Sequence, residues 1–202
     1  MPELALACYA LYGAVAFGLR ILLQLRATGS TGVKGLSRRP GSVEWFAGLG
    51  LILGIALGVI AAVSEAQGEI DPLEPFDATA VHVAGIVLFG LGLAATFYAQ
   101  LAMGRSWRIG VDETERTDLV TSGPFRLVRN PIYSAMLPAF TGLVLMTPNA
   151  LAFAALVLLF VSLELQVRVV EEPHLLHMHG DEYADYASRV GRFVPGIGRI
   201  RP

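Results

Sequence analysis

Apolar runs recur along this chain at 5–25, 43–63, 80–103, 131–146 and 150–170, separated by polar or Gly/Pro-rich loops. About 20 helical residues cross the ~30 Å hydrocarbon core of a bilayer, and all but the 131–146 run reach that length. A soluble domain usually carries about 25% charged residues; here only 16% are charged and 54% are hydrophobic. The expected fold is therefore all-α, a polytopic membrane protein with five transmembrane helices. Thr147-Pro148-Asn149 leaves so little chain between the last two that they must be antiparallel neighbours, a tight hairpin. The 5–25 run has no basic segment before it and no small-residue cleavage site after it, so it reads as a retained helix.

The fifteen Lys and Arg orient these helices. They fall at Arg20, within 26–39, within 105–129, or from Arg168 onward; the 64–77 loop has none and carries five acidic residues. Basic loops stay cytoplasmic. One orientation satisfies every basic residue: the N-terminus and the 64–79 and 147–149 turns outside, the 26–42, 104–130 and 168–202 segments inside. Fourteen arginines against one lysine, with abundant Ala and Gly, suggest a GC-rich coding sequence and a bacterial source. An inner or plasma membrane follows from that. Cys8 is the single cysteine, so no intrachain disulfide can form.

The long loop and the tail thus share a side, where together they can build a site. The 104–130 connection is about 27 residues, too long for an idle link between adjacent helices. Its Trp107, Ile109, Leu119, Val120 and Phe125 argue for order. The tail from 171 mixes apolar and charged residues in the manner of short amphipathic helices. Arg168 and Glu172 are four apart and share a helix face, with Glu164 four residues deeper on the same face. An unpartnered carboxylate there is costly in lipid, so the three suggest a polar cleft. Gln100 needs a partner too: it either bonds a neighbouring helix or lines a cavity. Gly54 and Gly58 permit a close helix approach or a dimer, or reflect the general frequency of glycine in such helices. His174, His177 and His179 lack any supporting Cys or an HExxH pattern, so they read as a surface cluster with no metal.

The run LVTSGPFRLVRNPIY from Leu119 to Tyr133, RVVEEP from Arg168, and HGDEYADY from His179 resemble the isoprenylcysteine carboxyl methyltransferase family. Phospholipid methyltransferases and sterol reductases are its more distant relatives. The match covers roughly 105–195; the first two runs agree only in hydropathy. The resemblance implies an S-adenosyl-L-methionine-dependent membrane methyltransferase. It implies cofactor contacts from Thr117, Asp118, Leu119, Val120 and Phe125, and from Asn130, Pro131, Ile132 and Tyr133 at the family's His-Pro-x-Tyr. Glu172 would also hold the cofactor, and Arg168 the acceptor, making these two the catalytic pair. Asn130 stands where the family usually has His, and Phe125 where it usually has Tyr. Asn keeps a donor and an acceptor but cannot ionise near neutral pH.

Physical reasoning adds roles. A sulfonium donor is cationic, so a carboxylate such as Glu172 can balance it. A carboxylate acceptor needs no general base, and Arg168 could fork onto it; Glu164 and Gln100 would line the substrate's path. An amine or hydroxyl acceptor would need a base, with Glu164 or Glu171 as candidates. The expected partners are a lipophilic or lipidated substrate and membrane lipids, with no nucleic acid. The expected division is three N-terminal helices in 1–103 and a methyltransferase core in 104–202. A phospholipid, amine or other isoprenoid-lipid methyltransferase is the alternative, with an NADPH-dependent sterol-reductase-like enzyme and a non-catalytic membrane scaffold beyond it.

Overall fold

Each long helix begins or ends where the sequence supplies a signal. A computed structural model describes residues 1–33, 40–109 and 118–200. Pro2 opens helix α1 (Pro2–Thr28), which ends at Gly29 in the left-handed region at φ +77°. Ser42 caps α2 (Val43–Ala66), its hydroxyl accepting from the Trp45 amide at 3.2 Å. Helix α3 (Thr79–Met103) stops at Gly104, φ +58°. Pro131 starts α4 (Pro131–Met146), and the Asn149 side chain caps α5 (Ala150–His179) by accepting from the Ala152 amide at 2.9 Å. Gly180 turns the chain into α6 (Asp181–Arg189). Among the described residues there are no strands, only isolated bridges joining Val33 to Ile109 and Val128 to Gly191.

Among the described residues four helices are long and apolar enough to cross a membrane: Pro2–Thr28, Val43–Ala66, Thr79–Ser106 and Ala150–His179. The fifth apolar run forms the shorter α4, of 16 residues. Pro138 lies inside it without ending it.

Helix α3 packs along α4, and α2 along α5. Small residues make both seams possible. A Cβ on Gly92 would stand 2.5 Å from the Ala139 amide nitrogen, and one on Gly142 would stand 2.5 Å from the Phe89 nitrogen and the Gly85 oxygen. Gly54 lies against the Leu159 backbone and Gly58 against the Tyr9 ring. The Gly54/Gly58 pair is thus engaged inside this chain, by α5 and α1. Tyr12, Phe89, Phe140, Leu143 and Leu159 knit four helices into one core. Because the atoms opposing Gly142 are backbone, Gly142→Ala should destabilise the detergent-solubilised protein by about 1–3 kcal/mol. Denaturant titration measures this; an unchanged midpoint would mean that the α3–α4 seam is looser than described.

Two helices contain a wide π-type turn, at Gly13–Leu19 in α1 and Gln166–Glu171 in α5. Such turns rotate the following residues relative to an unbroken α-helix. In α5 the wide turn directly precedes Pro173, whose ring crowds the carbonyl four residues back and which has no N–H to donate. Extra room there lets the helix run on. The sequence reading ends the last run at 170 and begins a separate tail at 171; the structure continues one helix through both glutamates to His179. The apolar face of α6 then folds back, burying Tyr183, Tyr186 and Ala187 against Leu119 and Leu175.

Candidate functional site

The inner ends of the helices are tied together by buried polar groups. Arg20 near the end of α1 donates to the Gly104 carbonyl at 2.6 Å and to Gln24 at 2.9 Å, and lies 4.5 Å over the Trp107 ring. A cation at the end of α3 meets the carbonyls the helix leaves unpaired. Gln24 donates to the Arg105 carbonyl at 2.8 Å. These bonds fix the start of the 104–130 loop beneath α1.

Beside them opens a cavity of about 480 Å³, within the range of small-molecule sites. Tyr12, Ala16 and Phe17 of α1 and Trp45, Leu51, Ile52 and Ile55 of α2 give it a mostly apolar side, with Glu44 at the head of α2. Trp107, Arg108, Asp118, Leu119, Val120 and Phe125 come from the loop region. Asn130, Pro131, Ile132 and Tyr133 come from the head of α4, Gln100 from α3, and Gln166, Glu171 and His174 from α5. Tyr183 and Tyr186 of α6 complete the wall.

Most residues singled out in the sequence share this wall, among them Gln100, Asp118, Leu119, Val120, Phe125 and the 130–133 run. Thr117 lies outside the described residues. Arg168 and Glu172 are not brought together. Arg168 pairs with Glu164 on the outer face, its side chain 57% exposed, and neither lines the cavity. The physical reason is the wide turn, which breaks the four-residue periodicity that put Glu164, Arg168 and Glu172 on one face. An exposed ion pair contributes about 0–1 kcal/mol. Arg168→Ala should therefore leave unfolding within that range and ligand affinity within about twofold; a tenfold loss of affinity in calorimetry would return Arg168 to the site.

Glu172 is buried and committed elsewhere. One oxygen accepts from Arg129, and the carboxylate takes Arg192 in a fork at 2.9 and 2.7 Å. Arg129 also donates to the carbonyls of Ala187, Val190 and Gly198. The Glu172 hydrogen bond holds the Arg192 guanidinium above its usual range, firmly charged. The cluster adjoins the cavity, which Arg129 lines while Glu172 and Arg192 do not, and clamps the tail to the helices. Asn130 helps: its backbone N–H and side-chain amide both donate to the Arg192 carbonyl, at 3.1 and 3.3 Å. The Ser134 hydroxyl donates to the Phe193 carbonyl at 2.8 Å.

Glu171, one residue earlier, lines the cavity, as Glu44 does from α2. It accepts from the Tyr133 hydroxyl at 2.5 Å, which fixes its direction. Phe125 is held from behind, since the Tyr186 hydroxyl donates to its carbonyl at 2.6 Å. Burial pushes the Tyr186 phenol up to about 12, so it remains a donor. His174 is buried in the cavity wall, 3.4 Å from an Arg108 nitrogen, and so departs from the surface cluster read for the three histidines. Among the described residues no cluster could hold a metal ion. Sequence reasoning gave Arg108 and His174 no part in the site. The only signal for Arg108 was a cation in a loop too long to be a simple connector.

The helical bundle with its inner cavity belongs to a known class of membrane proteins. A family model described as phospholipid methyltransferase matches residues 80–182, just over half of the chain, and the chain belongs to that family. It is 33% identical over 118 residues to protein-S-isoprenylcysteine O-methyltransferase B of Arabidopsis thaliana, covering 56% of this chain and 58% of that protein. It is 34% identical over 71 residues to methanethiol S-methyltransferase 1 of Bradyrhizobium diazoefficiens, covering 35% of this chain and 24% of that one. It is 32% identical over 100 residues to the nickel-cobalt-cadmium resistance protein NccN of Alcaligenes xylosoxydans xylosoxydans, covering 49% and 46%. The chain thus spans about half the length of these relatives, or less.

Proposed function

We propose that this chain is an S-adenosyl-L-methionine-dependent methyltransferase acting on a lipophilic, membrane-dissolved acceptor. The observation that carries the reading is one cavity with two characters. Its loop and α5 side presents Asp118, Glu171 and Arg108, and its α1–α2 side presents Phe17, Leu51, Ile52 and Ile55, with Glu44 at the head of α2 the charged residue there. A charged, water-soluble donor suits the first and a greasy acceptor the second. The residues fit the cofactor: a carboxylate is oriented into the cavity for a cation, aromatic walls are available for a base, and Gln100 Oε1 and Arg108 Nη1 are buried without hydrogen-bond partners.

When bound, the cofactor supplies an electrophilic methyl group on a positively charged sulfur. The protein's share is to place donor and acceptor in line and to keep water out. Glu171, fixed by Tyr133, sets negative charge where the donor is positive. Phe125, Tyr183 and Tyr186 close the wall on the tail side. With Arg168 outside, the specific argument for a carboxylate acceptor falls away, and the acceptor is defined by its apolar body.

In this reading the chain crosses the membrane five times, the last two helices as an antiparallel hairpin, with the N-terminus outside and the cavity at the cytoplasmic face of a bacterial membrane. The distribution of basic residues supports that orientation. Helix α4 is only about 24 Å long at 1.5 Å per residue. Its outer turn does not need to reach the surface, because Thr147 and Asn149 are buried and the Pro148 carbonyl accepts from the Leu73 amide of the acidic loop.

Calorimetry of folded protein in detergent with S-adenosylmethionine tests the reading. Binding is expected, followed by transfer of radiolabelled methyl to a lipid-extractable product. Absence of binding to folded protein would end it.

A further inference from the structure

The cations near the cavity are nearly all accounted for. Arg129 is neutralised by Glu172 and surrounded by carbonyls. Arg192 is forked onto Glu172, Arg20 is bonded to Gly104 and Gln24, and Arg168 faces outward on Glu164. Arg20 and Arg129 each keep a buried Nε without a partner, and Arg129 also lines the cavity, but both have the rest of their guanidinium engaged. Arg108 differs in that no ion pair engages it among the described residues: it lines the cavity, its Nη1 is buried with no hydrogen-bond partner, and Nη2 lies 3.4 Å from His174. A guanidinium nitrogen removed from water can still donate to an anion, and a planar fork suits a carboxylate. Glu171 lines the same cavity. A cation and a carboxylate facing one small space are complementary to a zwitterion, which carries both charges on neighbouring atoms.

We propose that Arg108 is the carboxylate-binding residue of this site, and that it receives the α-carboxylate of the methyl donor's amino-acid end while Glu171 receives the α-ammonium. This rests on the reading that S-adenosylmethionine occupies the cavity, and it assigns the cofactor's orientation there. The amino-acid end points to the loop and α5 side, which leaves the α1–α2 side to the acceptor. The alternative source of the same chemistry is a carboxylate on the acceptor.

The test is a two-by-two titration of the full chain in detergent: wild type and Arg108→Gln, each with S-adenosylmethionine and with decarboxylated S-adenosylmethionine. Wild type should prefer the carboxylated donor by tenfold or more, and Arg108→Gln should bind both about equally and weakly. Arg108→Lys, which keeps the charge without the fork, should restore part of the preference and serves as the folding control alongside the thermal midpoint. If Arg108→Gln keeps the wild-type preference, the proposal is overturned. Should that variant instead lose affinity for a twelve-carbon fatty carboxylate but not for the matching alcohol, the proposal is equally overturned and the carboxylate belongs to the acceptor. Failure of the wild type to bind S-adenosylmethionine or S-adenosylhomocysteine at all would refute the cofactor reading itself, a distinct outcome.

Discussion

Replacing Glu172 with alanine is expected to destabilise the protein by about 3–5 kcal/mol, the usual cost of removing one partner from a buried ion pair. Glu172 is 7% exposed and Arg129 5%, so solvent cannot replace the lost carboxylate. Arg129 would keep its carbonyl partners but not its counter-charge, and Arg192 would lose both bonds of its fork. Since Gly191, Arg192 and Phe193 are bonded to residues 129, 130 and 134, the tail should loosen first. Protease cleavage after Arg189 or Arg192 should accelerate well before the helices unfold. Denaturant titration with timed proteolysis reads both effects. A loss below about 1 kcal/mol would place the pair among the surface salt bridges in energetic weight.

Glu171→Gln should leave stability largely intact and weaken S-adenosylmethionine binding by about 10- to 100-fold. Hydrogen bonds to charged groups are worth about 1.5–3 kcal/mol, and every 1.4 kcal/mol is tenfold in affinity. The amide preserves shape and can still accept from Tyr133, so the change isolates charge. S-adenosylhomocysteine separates two roles, because it keeps the ammonium and lacks the sulfonium. Equal losses for both ligands mean that Glu171 faces the ammonium, as the assignment for Arg108 requires. A loss confined to S-adenosylmethionine would place it against the sulfonium. Unchanged affinity for both would remove Glu171 from the site.

Much of this molecule was legible from hydropathy. The long apolar runs stand as helices because about twenty consecutive apolar residues leave few alternatives. The stretch from Asp118 to Tyr133 could be singled out because its Gly, Pro and aromatic residues keep a recognisable order, and all its named candidates among the described residues line one cavity. Arg168 and Glu172 show where such reading stops. Counting in fours presumes an unbroken α-helix; the wide turn at Gln166–Glu171 changes that count, and the neighbouring Glu171 faces the cavity instead. Nothing in the local sequence announces that turn except Pro173 just beyond it. The partners of Glu172 were hidden for a different reason. Arg129 and Arg192 are 43 and 20 residues away, and only the folded tail brings them within reach. Glycine posed a third ambiguity, since a stripe can serve a partner subunit or a neighbouring helix, and only packing tells which. Here Gly54 and Gly58 face Leu159 and Tyr9.

The clamp beside the cavity sets an order of events during synthesis. Arg129 emerges from the ribosome first, Glu172 next, and Arg192 and the Gly198 carbonyl after both. The apolar helices can enter the bilayer before those residues are made, as chains are built from the N-terminus forward. Until they arrive, the chamber has no rear door. A nascent chain stalled before Arg192 would therefore have its helices formed but its cavity unbacked, and closure would wait on the docking of the 191–198 segment.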